Sequence, residues 1–109
     1  MKLSGNHKTR YVEKARLIKA LAHPTRLFIV DELAKGERCV SDLQALVGAD
    51  ISTVSKHLAL LKAAGVITDD KRGLQVFYRL QTPCVLNVFE CVREVQDAVK
   101  PVRKARNAG

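Results

Sequence analysis

Between Asp50 and Leu80 the chain changes its hydrophobic period, and few folds accommodate that change. The stretch reads DISTVSKHLALLKAAGVITDDKRGLQVFYRL. In its first half Val54, Leu58 and Leu61 recur at steps of four and three, which places them on one face of a helix. Ser52 is suited to start that helix, because its hydroxyl accepts from a backbone N–H that has no partner inside the helix. Gly65 is suited to end it in a left-handed turn. In the second half Leu74, Val76, Tyr78 and Leu80 alternate with Gln75, Phe77 and Arg79, which is strand spacing. Val66 to Thr68 can pair with that strand, with Asp69 to Gly73 as the turn. The expectation is a helix followed by a two-stranded hairpin with a basic tip.

The residues before this stretch supply the remaining helices. Ser41-Asp42-Leu43-Gln44 has the form of a capping box. Leu43, Leu46 and Val47 then give a short amphipathic helix, and Gly48-Ala49-Asp50 turns into the next one. Upstream, Val12, Ala15, Ile18 and Leu21 have helical spacing from Tyr11 onward. Leu27, Val30, Leu33 and Ala34 repeat the pattern after Pro24, a residue tolerated in a first helical turn. After Leu80, Pro83 opens a last helix in which Val85, Val88, Val92, Val95 and Val99 recur at alternating steps of three and four. Pro101 is expected to stop it. The fold class is therefore mainly α with a small β-hairpin wing: one winged helix-turn-helix domain over 1–109, with 1–10 and 101–109 as loose basic tails. The broad apolar face of the last helix exceeds what so small a core can cover. Such a face marks association, here a two-fold homodimer through the first and last helices.

Four segments in order carry a family resemblance. Ala20-Leu21-Ala22-His23-Pro24-Thr25-Arg26-Leu27, Glu37-Arg38-Cys39-Val40-Ser41-Asp42-Leu43, Ser52-Thr53-Val54-Ser55-Lys56-His57-Leu58 and the strand from Gly73 to Leu80 resemble the ArsR/SmtB family of small bacterial and archaeal winged-helix repressors. The likeness runs from about Val12 to Leu80. It implies double-stranded operator DNA as the partner, a homodimer, and release from DNA when an inducer acts on a few cysteines or histidines.

Charge agrees with a polyanionic partner. The net charge is +8. Residues 1–19 carry six Lys/Arg against one Glu, residues 100–109 four Lys/Arg and no acid, and the middle nine basic against ten acidic residues. The excess thus lies at the two ends, and the helix-turn-helix is what points it to DNA rather than to solubility alone. No apolar run approaches the ~20 residues of a membrane helix, and Met1 to Arg10 lacks the apolar segment of a signal peptide. A soluble cytoplasmic protein without a membrane partner is expected. No Gly-rich loop or paired nucleophile and base supports an enzyme.

A recognition helix enters the major groove with its N-terminal end. Ser52, Thr53 and Ser55 are candidates for hydrogen bonds to phosphates or base edges, and Lys56 for a phosphate or a guanine edge. His57 is a phosphate candidate whose charge would depend on pH. Lys71 and Arg72 at the wing tip are phosphate or minor-groove candidates, with Arg26 a further phosphate candidate. The competing reading for all of them is a solvated surface, which for the wing is equally well supported, since Asp69 and Asp70 sit beside Lys71 and Arg72.

Three cysteines, Cys39, Cys84 and Cys91, are too few and too scattered for a disulfide framework or a zinc finger. Cys39 precedes a helix start, an environment that favours a thiolate. Cys84 and Cys91 stand seven residues apart, roughly 10 Å along a helix axis, whereas thiolates sharing one ion lie only about 4 Å apart at metal–sulfur bonds of ~2.3 Å. A shared site needs an unwound turn at Cys84 or thiols from both subunits. Within the resemblance, the arsenic-sensing pattern has cysteines at positions 39 and 41, and Ser41 stands at the second. The family's metal site on the last helix would need ligands where Thr82, Val95 and Ala98 stand. With Cys39, Cys84 and Cys91 as the remaining ligands, a thiophilic inducer such as arsenite or a related metalloid is expected. No resident cofactor is required. A thiol redox or persulfide switch, and an effector-free DNA binder, are the alternatives.

Overall fold

A computed structural model describes residues 4–108, and the side chains of residues 4–99. The order is α1 (Gly5–Leu21), α2 (Pro24–Ala34), β1 (Arg38–Cys39), α3 (Val40–Val47), α4 (Ile51–Ala63), β2 (Ile67–Arg72), β3 (Gln75–Leu80) and α5 (Val85–Ala108). The strands form one antiparallel sheet in the order β1-β3-β2. The β2–β3 hairpin is the wing, with Ile67 opposite Leu80 and Arg72 opposite Gln75.

The core follows the helical stripes. Val54, Leu58 and Leu61 of α4 are fully buried, as their spacing requires, against Ile29, Val30 and Leu33 of α2 and Leu43 of α3. Burial of each such side chain is worth about 1.5–3 kcal/mol. Val66 and Ile67 extend the cluster to the wing, and Val85 ties in the start of α5. Gly65 ends the helical segment with φ of +82°, which a side chain rarely adopts.

Several expectations are corrected. The cap of α4 is Asp50, not Ser52: the Asp50 carboxylate accepts from the Thr53 amide at 3.3 Å, and the Ser52 hydroxyl donates to the same carboxylate at 2.8 Å. An ionised carboxylate is better matched than a hydroxyl to the positive end of the helix dipole. Likewise α3 is capped from Cys39, and Ser41 sits inside its first turn with no capping hydrogen bond. The hairpin turn is Gly73-Leu74 rather than Asp69 to Gly73. Gly73, at φ of +63°, provides the positive angle that a tight two-residue hairpin demands at its first central residue. The two-residue strand β1 was not foreseen.

Both expected tails contain helix. α1 begins at Gly5, and α5 continues past Pro101 to Ala108. Proline forfeits one backbone hydrogen bond there without ending the helix. The remaining tail residues, 1–3 and 109, lie outside the described residues. In α2, Leu27 and Ala34 face outward while Ile29 joins the buried face.

Leu21 and Val85 anchor the two stripes in the core, but most of the apolar faces of α1 and α5 are uncovered among the described residues. Ile18 is 62% exposed and Val95 is 60% exposed, with Tyr11, Val88 and Val92 exposed beside them. Between the two helices runs a groove of about 740 Å³, lined by Leu17, Ile18, Val88, Val92 and Cys84 among others. No helix among the described residues is long and apolar enough to cross a membrane.

Candidate nucleic-acid interface and thiol positions

Burial of Val54, Leu58 and Leu61 fixes the rotation of α4. Ser52, Thr53, Ser55 and Lys56 are therefore all exposed at its N-terminal end. Ser52 already spends its proton on Asp50, so toward an external group it has only oxygen lone pairs to offer. Asp50 itself, held below the usual carboxylate range by hydrogen bonds from Thr53 and Ser52, puts a fixed negative charge beside this face. The signal for this cap is an Asp two residues ahead of a Ser-Thr pair, which competes in sequence with Ser52.

His57 does not share the open face. It is half-buried and meets His23, the cap of α2, with ring centroids 4.5 Å apart. His23 Nδ1 accepts from the Thr25 amide at 3.0 Å, which puts the proton of the neutral ring on Nε2. His57 Nδ1 is buried without a hydrogen-bond partner. Burial, then the nearby His23 and Arg26, push the His57 pKa below its ordinary 6.5. That shift favours the neutral ring, which joins α4 to α2; its geometry is that of a packing group rather than a charged phosphate contact.

Arg26 is also engaged elsewhere. Its Nη1 donates to the Ala20 carbonyl at 2.9 Å and lies 3.5 Å from that of Lys19, closing the C-terminal end of α1. A cation is favoured at that end of a helix.

At the wing, Lys71 and Arg72 are both exposed, yet they differ. Arg72 grips Glu37 with Nη1–Oε1 at 2.6 Å and Nη2–Oε2 at 2.8 Å, and donates from Nε to Asp70 at 2.9 Å. Its guanidinium also lies 4.7 Å from the centre of the Phe77 ring. The hydrogen bonds it donates to Glu37 and then to Asp70 raise its pKa further, so it stays charged. Lys71 forms no ion pair among the described residues. At the other end of the hairpin Lys62 bridges to Asp69 at 3.0 Å, fixing the wing to the end of α4.

The three thiols are not brought together within one subunit. Cys39 is buried at the start of α3, its Sγ 3.1 Å from Ser41 Oγ. Cys84 and Cys91 are both exposed, Cys84 in the turn before α5 and Cys91 on it. Among the described residues no three His, Cys, Asp or Glu side chains are grouped to hold a metal ion. A single-subunit Cys39–Cys84–Cys91 site does not fit this arrangement.

Comparison with known proteins agrees with this architecture. Residues 23–69 match the family described as "Bacterial regulatory protein, arsR family". The chain is 41% identical over 83 residues to the biofilm growth-associated repressor of Agrobacterium fabrum, covering 76% of this chain and 71% of that protein. The chain belongs to the arsR family of bacterial regulatory proteins. A second relative, the HTH-type transcriptional repressor SmtB of Mycobacterium tuberculosis, is 45% identical over 64 residues. That match takes in 59% of this chain and 47% of SmtB, so the chain spans about half the length of that relative. Among solved arsR-type folds, the homodimeric winged helix-turn-helix DNA-binding domain of a possible ArsR-family regulator from Mycobacterium bovis superposes with a TM-score of 0.75. It is 33% identical, with 88% of this chain and 89% of that one covered. These are regulators, not enzymes.

Proposed function

We propose that this arsR-family chain is a homodimeric transcriptional repressor that binds a pseudo-palindromic operator and leaves it when a thiophilic inducer acts. The observation that carries the DNA-binding half is the orientation of α4. Its apolar side is sealed in the core, which leaves Thr53, Ser55 and Lys56 free at the end that enters a major groove. Ser52 joins them as an acceptor, and Lys71 supplies a wing phosphate contact. The exposed apolar faces of α1 and α5 support the dimer, as does the homodimeric state of the Mycobacterium bovis relative.

For the inducer, the exposed thiols Cys84 and Cys91 are the reactive positions, and Cys39 is a packing residue beside Ser41. Arsenite or a related metalloid would need Cys84, in the turn before α5, to reach Cys91, or else thiols from both subunits. Cys84 lines the groove between the two dimerising helices, which supports that reading. A redox or persulfide switch is the second reading, favoured by the two thiols being exposed and, among the described residues, outside any group of three metal-binding side chains. In either case the inducer must bind the form with weaker DNA affinity more tightly.

The test is release from the chain's own upstream DNA, followed by fluorescence anisotropy on reduced protein. Release by stoichiometric arsenite that disappears in Cys84→Ser or Cys91→Ser supports the metalloid sensor. Release by oxidant or persulfide only, reversed by a thiol reductant, supports the redox switch. Persistence of the complex under all of these treatments removes the thiols from the mechanism.

A further inference from the structure

We propose that Glu37 is a specificity-determining residue of the wing: it docks the Arg72 guanidinium against the hairpin and withholds that charge from DNA phosphates. This rests on the DNA-binding reading above. The geometry is a built clamp with contacts from three separate places. Glu37, in the connection before β1, takes both Nη groups in a fork at 2.6 and 2.8 Å. Asp70 of β2 takes Nε at 2.9 Å. Phe77 of β3, directly opposite Asp70 in the ladder, lies 4.7 Å beneath the guanidinium. Three of the five guanidinium N–H groups are thereby committed, and the planar fork is the geometry in which arginine binds carboxylate most strongly.

Even as a bidentate fork, carboxylates on a half-exposed wing cation add only modestly to the stability of the fold. Their effect on a polyanion is larger. A phosphate approaching Arg72 meets a cation already matched by two anions, whereas Lys71, one residue away, is unpaired among the described residues. Affinity for DNA of any sequence comes almost wholly from charge. Masking Arg72 therefore lowers binding to arbitrary DNA while leaving the contacts of α4 intact. The same clamp spans 35 residues of sequence and fixes the hairpin's direction relative to β1. Lys71 is then presented from a fixed wing.

The experiment compares full-length wild type, Glu37→Gln, Arg72→Ala and the double variant. Binding is measured by anisotropy on an operator duplex and on a random duplex of equal length across a salt series, with circular dichroism melts as the folding control. Glu37→Gln is expected to bind the random duplex roughly two- to fivefold tighter near 0.1 M salt, the size of one surface pair. Its log–log salt slope should steepen by about one, the signature of an added phosphate contact. Its preference for the operator should fall, and the double variant should return to the wild-type slope. Two results overturn the proposal: no gain on random DNA in folded Glu37→Gln, or a slope lowered by about one in Arg72→Ala alone, which would mean Arg72 already holds a phosphate. Wild type that binds neither duplex would overturn the DNA-binding reading itself, a result distinct from both.

Discussion

His23 and His57 meet ring to ring, 4.5 Å between centroids and 47° between planes. The contact joins the capping residue of α2 to the outer edge of α4, so the helix proposed to read DNA is braced by a pair of groups that both accept protons. Arg26 adds a second positive influence on His57 beside that of His23, both after burial itself. Protonating His57 would place a cation, without a partner for Nδ1, next to those groups.

The pH dependence follows from the direction of that shift. The folded pKa of His57 lies below 6.5, so between the two values the unfolded chain binds a proton that the folded chain refuses. Stability from this group is therefore constant above about pH 6.5 and is lost as pH falls below it. Urea midpoints measured from pH 7.5 to 5.5 should decline in wild type and flatten in His57→Gln. An equal decline in both would remove His57 as the cause.

Two leucines two residues apart on α4 should respond very differently to truncation. Leu58 is 1% exposed and Leu60 is 50% exposed. Leu58→Ala should cost about 2–5 kcal/mol, a large share of the ~5–15 kcal/mol available to a typical domain. Leu60→Ala should stay within about 0.5 kcal/mol. Chemical denaturation measures both, and comparable losses would mean that α4 is rotated from the orientation described.

The apolar stripe on α5 should be dispensable for the subunit fold and required for assembly. Val95→Glu places a charge on a side chain that is already exposed in the single chain. The expected result is a helical, folded monomer by sedimentation velocity, with operator affinity reduced at least tenfold, about 1.4 kcal/mol. A Val95→Glu variant that sediments as a dimer would move the interface away from α5.

Lys56→Ala should weaken binding to all DNA sequences about equally and lower the salt slope by about one, as expected when one phosphate contact is removed. Inducer affinity should not change, because the thiols on and before α5 are remote in sequence and placed on other elements. A loss confined to one operator position would instead make Lys56 a base-reading residue.

What could be read from the sequence depended on whether the deciding interaction was local. Val54, Leu58 and Leu61 announce α4 and its buried side by spacing alone, and Val76 to Leu80 announce the wing strand. The cap of α4 was misassigned because Asp50 and Ser52 are both good capping residues, and only backbone geometry shows which one reaches the Thr53 amide. His57 sits next to Leu58 and three residues after Val54, at the border of the apolar stripe, where period counting cannot tell an edge residue from an open one. β1 is two residues long and exists only because β3 pairs with it. Arg72 was legible as a basic wing residue, but its engagement by Glu37 joins positions 35 apart, which no local pattern encodes. The cysteines illustrate the same limit: helical spacing excluded chelation by Cys84 and Cys91 within one regular helix only, and both the turn at Cys84 and the burial of Cys39 depended on packing.

The most direct test is the stoichiometry and selectivity of DNA binding by the reduced full-length chain. Sedimentation equilibrium and anisotropy would be run on a pseudo-palindromic duplex from its own upstream region and on a scrambled duplex of equal length. Two chains per duplex, with at least about 10³-fold preference over the scrambled sequence near physiological salt, is the expected result for a sequence-specific dimeric repressor. Equal affinity for both duplexes, or one chain per duplex, would contradict it.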